Sequence, residues 1–130
     1  MPQKLNEKYQ QAAVEFARRV TTALGDQTDA IVLYGSVARG EARRDSDIDI
    51  LVVSPHPKDI RERTSEICSD LTFEHHYTIF ISLVQLGREE LDWHTRVRSP
   101  FMHNVLEDGV ILYDNGTFSR VREEATAASR

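Results

Sequence analysis

An α+β domain with a central sheet flanked by helices is predicted by three features of this chain. Segments with apolar residues at steps of three and four alternate with short strand-like runs. One of those runs, Ala30–Tyr34, is apolar throughout, the mark of a strand buried on both faces. The chain has 130 residues, 40% hydrophobic and 28% charged, which suits one packed domain rather than a disordered segment.

The first helix is amphipathic: Leu5, Tyr9, Ala12, Ala13, Phe16, Val20 and Leu24 share one stripe, and Gly25 stands where it should stop. Ala30–Tyr34 follows as a strand and runs into Gly35-Ser36. Val37–Arg39 opens a short helix before Gly40, and a polar stretch, 41–46, leads to a second strand over Asp47–Val53. Pro55 and Pro57 close that strand and start a helix near Lys58-Asp59, with Ile60, Thr64, Ile67, Cys68, Leu71 and Glu74 at helical spacing. Tyr77–Val84 reads as a third strand, with Gly87 as its breaker. Ser99 caps and Pro100 begins a helix carrying Phe101, Val105 and Leu106, which Gly109 stops. Val110–Tyr113 is the last strand. Residues 1–118 form the single domain, and 119–130, small and polar toward the end, form a flexible tail.

Charge and cysteine content narrow the function classes. A net charge of −5 argues against extended nucleic-acid binding, which needs a basic face. The single cysteine, Cys68, excludes an internal disulfide, and no 18-residue apolar run or leader-like start is present. The expected setting is the cytoplasm, with no membrane association.

The chemistry is concentrated in two neighbouring blocks. In the first, a buried strand turns at Gly35-Ser36 into a helical turn, which leaves backbone N–H groups free where a phosphate can approach. Ser36 adds a hydroxyl donor. In the second block, Asp47 and Asp49 are two apart in a strand and point to one face, with Cα atoms roughly 6.5–7 Å apart. At ~6 Å separation and an effective dielectric of ~20, such carboxylates repel by about 2–3 kcal/mol. A cation between them relieves that repulsion. An oxygen-only ligand set with no His or Cys beside it suits Mg²⁺ or Mn²⁺ rather than zinc. The alternative is that both aspartates are solvated residues at the strand entry.

Gly35-Ser36-x-Ala38-Arg39-Gly40 followed by Ser46-Asp47-x-Asp49 resembles the signature of the DNA polymerase beta nucleotidyltransferase superfamily, and in particular its minimal nucleotidyltransferases. The resemblance is strongest over residues 33–53 and extends more weakly over most of the chain. It implies the nucleotidyltransferase fold, with a mixed central sheet. It also implies that Asp47 and Asp49 hold the divalent metal, Mg²⁺ or Mn²⁺. Gly35, Ser36, Arg39 and Ser46 would contact the nucleoside triphosphate, and Ser36, Asp47 and Asp49 would carry the catalysis. An acceptor hydroxyl would attack the α-phosphorus, taking a nucleoside monophosphate, AMP if the donor is ATP, and releasing pyrophosphate. Arg39 has a second reading, a salt bridge to Asp47 or Glu41 that steadies the loop.

Small members of the family are encoded beside an all-helical HEPN partner as a toxin–antitoxin pair, so the resemblance implies such a partner, or a homodimer, to complete the acceptor site. One departure bears on this. Active members carry a third carboxylate on the next core strand, but here 78–84 holds none. Glu74 lies upstream at the end of a helix pattern, and Asp45 is ~13 Å from Asp49 along an extended chain. The alternative function is therefore a weak or inactive nucleotide-binding module that masks a partner protein.

The remaining reactive side chains have structural readings. Adjacent His75 and His76 point apart in an extended segment, His56 sits between two prolines in a loop, and His103 follows the Phe101 helix. Cys68 reads as core. Trp93-His94 is expected to pack, with stacking on a nucleobase or partner as the alternative.

Overall fold

A computed structural model of the chain describes residues 2–128. Helix α1 (Pro2–Leu24) runs into a 3-10 turn (Gly25–Gln27) and then strand β1 (Ala30–Tyr34). The short helix α2 (Gly35–Ala38), strand β2 (Ile48–Val53), helix α3 (Pro57–Glu74) and strand β3 (Ile81–Leu86) follow. Helices α4 (Arg88–Arg96) and α5 (Pro100–Asp108), strand β4 (Val110–Asp114) and helix α6 (Thr117–Ala128) complete the order.

The four strands form one mixed sheet in the order β3-β2-β1-β4. β1 pairs antiparallel with β2 and with β4, while β2 and β3 are parallel and joined by α3, as a parallel connection requires. A register shift between Ile31 and Val32 interrupts the pairing of β1 with the edge strand β4.

Alternate residues of the strands feed two cores. Ile31 and Leu33 of β1, Ile48, Ile50 and Val52 of β2, and Ile81 of β3 pack against Phe16, Val20, Ile60, Ile67 and Leu71 from α1 and α3. Ala30 and Val32, Leu51 and Val53, and Leu86 face the other way, against Leu91, Met102, Val105, Phe118 and Val121 from α4, α5 and α6. Every residue of β1 is buried, as its uniform apolarity predicts. The sheet is therefore covered on both faces, and Asp49, which shares its parity with Leu51 and Val53, belongs to the α5 side.

The α1 stripe, β1, and the Ser99-capped α5 stand where the sequence places them; Ser99 Oγ accepts from the Met102 N–H at 3.1 Å. Three elements differ. β3 begins at Ile81 rather than Tyr77, because His76 and Tyr77 both take left-handed backbone angles (φ 55 and φ 60) that end α3 in a turn. Helix α4 forms where only an unassigned segment was expected. The boundary at residue 118 falls inside α6, whose Phe118 and Val121 are buried and whose first turn is capped by Asp114, which accepts from the Phe118 and Ser119 N–H groups. The expected tail is thus helical through residue 128, and 129–130 lie outside the described residues. Among the described residues, no helix is long and apolar enough to cross a membrane.

Candidate active site

The end of β1 and the start of β2 lie side by side, in a register that pairs Tyr34 with Asp49. β3 brings Ser82 to the other side of Asp49. Registered residues share a face, so Tyr34, Asp49 and Ser82 form a row across three strands on the α5 side. Strand β2 begins at Ile48 rather than Asp47, so Asp47 lies in the loop just before it and is exposed, whereas Asp49 is half-buried.

Gly35 turns the chain out of β1 with φ +78, a left-handed angle that penalises any residue with a Cβ. A Cβ built there would collide with Asp49 Oδ2, so the Asp49 carboxylate lies directly over the glycine backbone. The first N–H groups of α2, from Gly35 onward, have no partner within this single helical turn. Among the described residues the Ser36 hydroxyl makes no hydrogen bond, so it too can donate to a ligand.

The turn is braced from α1. Asn6, buried on that helix, donates to the Val37 carbonyl at 3.3 Å and accepts from the Ala42 N–H at 3.0 Å. Gln10 also donates to Val37 O at 3.2 Å. Ser46 closes the loop ahead of the aspartates: its hydroxyl accepts from the Arg43 N–H at 2.8 Å, and its own N–H donates to Arg43 O at 3.0 Å.

Burial pushes the Asp49 carboxyl above the usual carboxylate range, the charge of Asp47 adds to that, and Arg39 opposes it. A positive charge brought beside these two carboxylates would relieve that pressure. The Tyr34 hydroxyl is pushed up to about 12, by burial first and by Asp49 second, so the row carries no further negative charge. Among the described residues, no group of three or more His, Cys, Asp or Glu is placed to hold a metal. The acids of this region, Asp47 and Asp49, offer oxygen donors of the kind a hard divalent cation takes, its other ligands coming from water and phosphate oxygens.

Arg39 forms a salt bridge to Glu41 at 3.1 Å and another to Asp108 of α5 at 2.8 Å; Asp47 is not its partner. Glu74, the nearest acid upstream of β3, is exposed and paired with Arg19 at 2.7 Å, a helix-surface role. Cys68 packs against the α1–α3 core, and burial pushes its thiol up to about 12. His75 follows the end of α3, and His56 and His103 are exposed.

Trp93 does not pack as expected: it is 52% exposed on α4, with its ring edge-on to His94. His94 in turn meets Phe101, and Phe101 meets Tyr34 edge-on at 5.5 Å, which ties α4 and α5 to the row. Spacing rules alone do not reveal Asn6, Tyr34, Ser82 or Asp108 as parts of this region. The one local signal was at Asp108, an acid at a helix C-terminus, where the dipole disfavours it.

Residues 15–101 match the family profile described as a nucleotidyltransferase domain. A Methanocaldococcus jannaschii protein named as a candidate protein adenylyltransferase is 32% identical over 104 residues, spanning 80% of this chain and 97% of its own. A second protein of that organism and designation is 29% identical over 104 residues, covering 80% and 71% of the two chains. Among solved structures, a chain from a toxin–antitoxin crystallised with AMP-PNP is 21% identical and covers 87% of this chain and 86% of its own, with TM-score 0.55. A chain of the toxin–antitoxin MntA-HepT is 17% identical over 92% and 86% of the two chains, with TM-score 0.52. At these identities the structural likeness establishes the shared fold.

Proposed function

The chain belongs to the nucleotidyltransferase domain family, and from that premise we propose that it transfers AMP from ATP to a hydroxyl of an acceptor protein in the cytoplasm. The observation that carries this reading is the Asp49 carboxylate lying over the left-handed Gly35, with the charge of Asp47 felt at it from the loop two residues earlier. The contact sets an anionic oxygen donor against the start of a turn whose N–H groups suit a phosphate, and that supports the reading. The designation of two relatives as candidate protein adenylyltransferases supports AMP as the group and protein as the acceptor class.

In this mechanism the Gly35 and Ser36 N–H groups and the Ser36 hydroxyl bind the β- and γ-phosphates, and Arg39 adds donors beside them. Ser46 sets the loop that delivers Asp47. Asp47 and Asp49 would hold the divalent cation, Mg²⁺ or Mn²⁺, which when bound neutralises phosphate charge and orients the α-phosphate. The acceptor oxygen forms a bond to the α-phosphorus as the bond to the bridging oxygen of the β-phosphate breaks. The hydroxyl proton is released to solvent, and pyrophosphate leaves. The protein's contribution is position and electrostatics. An all-helical HEPN protein is the proposed acceptor, supported by the toxin–antitoxin assemblies among chains of this fold.

The test is to incubate the full chain with α-labelled ATP, Mg²⁺ and a purified HEPN partner. Label on the partner that disappears with Asp47→Asn and with Asp49→Asn is the expected result. The second reading, a nucleotide-binding module that masks its partner without turnover, draws on Ser82 standing beside Asp49 where no third acid is present. ATP binding without label on any partner would favour it.

A further inference from the structure

Arg39 is gripped from two sides, and the grips are unequal. Nε donates to Glu41 Oε2 at 3.1 Å, and Nη1 donates to Asp108 Oδ2 at 2.8 Å. The Glu41 side chain is 65% exposed, so water screens that bond; the Asp108 side chain is only 13% exposed and is the firmer anchor. Among the described residues Nη2 has no partner, so both of its N–H donors remain available.

Asp108 closes α5, an end at which the helix dipole disfavours a carboxylate. Nothing about the packing of α5 requires it there. Ser99 caps the helix, Met102 and Val105 are buried in the core, and Phe101 holds its first turn against Tyr34. Arg39 itself ends the α2 turn, its N–H donating to the Gly35 carbonyl at 3.1 Å, so the side chain that Asp108 holds belongs to the turn over which Asp49 lies.

We propose that Asp108 is a positioning residue for the nucleotide: it fixes the Arg39 guanidinium so that the unpaired Nη2 edge meets the phosphates held beside Asp49. Asp108 does not itself touch the nucleotide. The inference rests on the nucleotide reading above and adds to it a residue 69 positions from Arg39 in sequence. A fork held rigid loses less freedom when it binds an anion than a mobile one, so the benefit appears as affinity.

The test is a calorimetric titration of the full chain with AMP-PNP and Mg²⁺, on the wild type and on Asp108→Ala, Asp108→Asn, Asp108→Glu, Arg39→Ala and the Arg39→Ala/Asp108→Ala double variant. Asp108→Ala should weaken binding about tenfold, the scale of one charge-assisted hydrogen bond. Asp108→Glu should recover most of it, and Asp108→Asn, which keeps the shape, should fall between. With Arg39 already replaced, Asp108→Ala should cost nothing more.

Three results would overturn the assignment while leaving the nucleotide reading intact. They are unchanged affinity in Arg39→Ala, an undiminished Asp108→Ala effect in the Arg39→Ala background, and a lowered melting temperature of Asp108→Ala with unchanged affinity. No binding by the wild type would instead overturn the nucleotide reading, and this assignment with it.

Discussion

The Asp49 carboxylate lies directly over Gly35, close enough that a Cβ on the glycine would meet Oδ2. The same glycine holds a φ of +78. Gly35→Ala should therefore cost about 1–3 kcal/mol in strain and push Asp49 off its position. Thermal denaturation and Mg²⁺–AMP-PNP titration of the variant should show both losses. Wild-type melting with wild-type affinity would refute the close packing.

The pH dependence follows from the direction of the Asp49 shift. A carboxyl raised in the folded protein binds its proton more tightly there than in the unfolded chain, so its contribution is fully present below the unfolded value and lost as pH rises through the folded one. Without added metal, Asp49→Asn should be at least as stable as the wild type at neutral pH. That difference should fade as pH falls below the ordinary carboxylate range. Adding Mg²⁺ should raise the melting temperature of the wild type but not of Asp49→Asn. Melting curves across a pH series, with and without the cation, check all three statements.

Asn6 satisfies both the Val37 carbonyl and the Ala42 N–H from a buried position. Asn6→Ala leaves the Ala42 N–H without its side-chain partner, while the Val37 carbonyl keeps Gln10, and should cost about 1–3 kcal/mol. Hydrogen exchange should quicken at Ala42 before it does in β1, because the brace holds the loop and not the strand.

Phe118 is fully buried in the α4–α5–α6 core, and its ring also meets the Arg122 guanidinium at 4.8 Å. Phe118→Ala should cost about 3–5 kcal/mol, and removal of residues 117–130 should cost at least as much. Trp93, 52% exposed, gives the contrast: Trp93→Ala should stay within about 0.5 kcal/mol of the wild type. Denaturant titrations of the three variants test the pair of expectations together.

The parts of the fold legible in sequence are those whose signal is local. The α1 stripe, the uniformly apolar β1, and the Ser99-Pro100 start of α5 each carry their own pattern. α4 buries Leu91 alone, which gives no periodicity to read, and Trp93 then looks like core when it faces water. Among the described residues α6 buries only Phe118 and Val121 amid charged and small polar residues, so its helicity depends on the Asp114 cap and on contacts made by distant elements. The start of β3 is hidden by the left-handed His76 and Tyr77, residue types for which propensity argues the opposite. The site divides in the same way. Gly35, Ser36, Asp47 and Asp49 fall within one short segment and show by spacing, whereas Asn6, Ser82 and Asp108 reach it only through tertiary packing.

The pairing of β1 with β2 has a kinetic consequence. Gly35 and Asp47 lie in the connection between β1 and β2, antiparallel strands adjacent in sequence, and Asp49 at the start of β2, so the contact of glycine with carboxylate closes over a short loop. Ser82 joins the row only after the α3 crossover completes the parallel pair, and Asp108 only when α5 docks. The short loop closure predicts that the phosphate-facing turn and its aspartates assemble as one nucleus before the residues that tune it, an order that the folding and unfolding rates of variants in each element check. Weakening α6 or the edge strand should speed unfolding while leaving the rate at which that nucleus forms nearly unchanged.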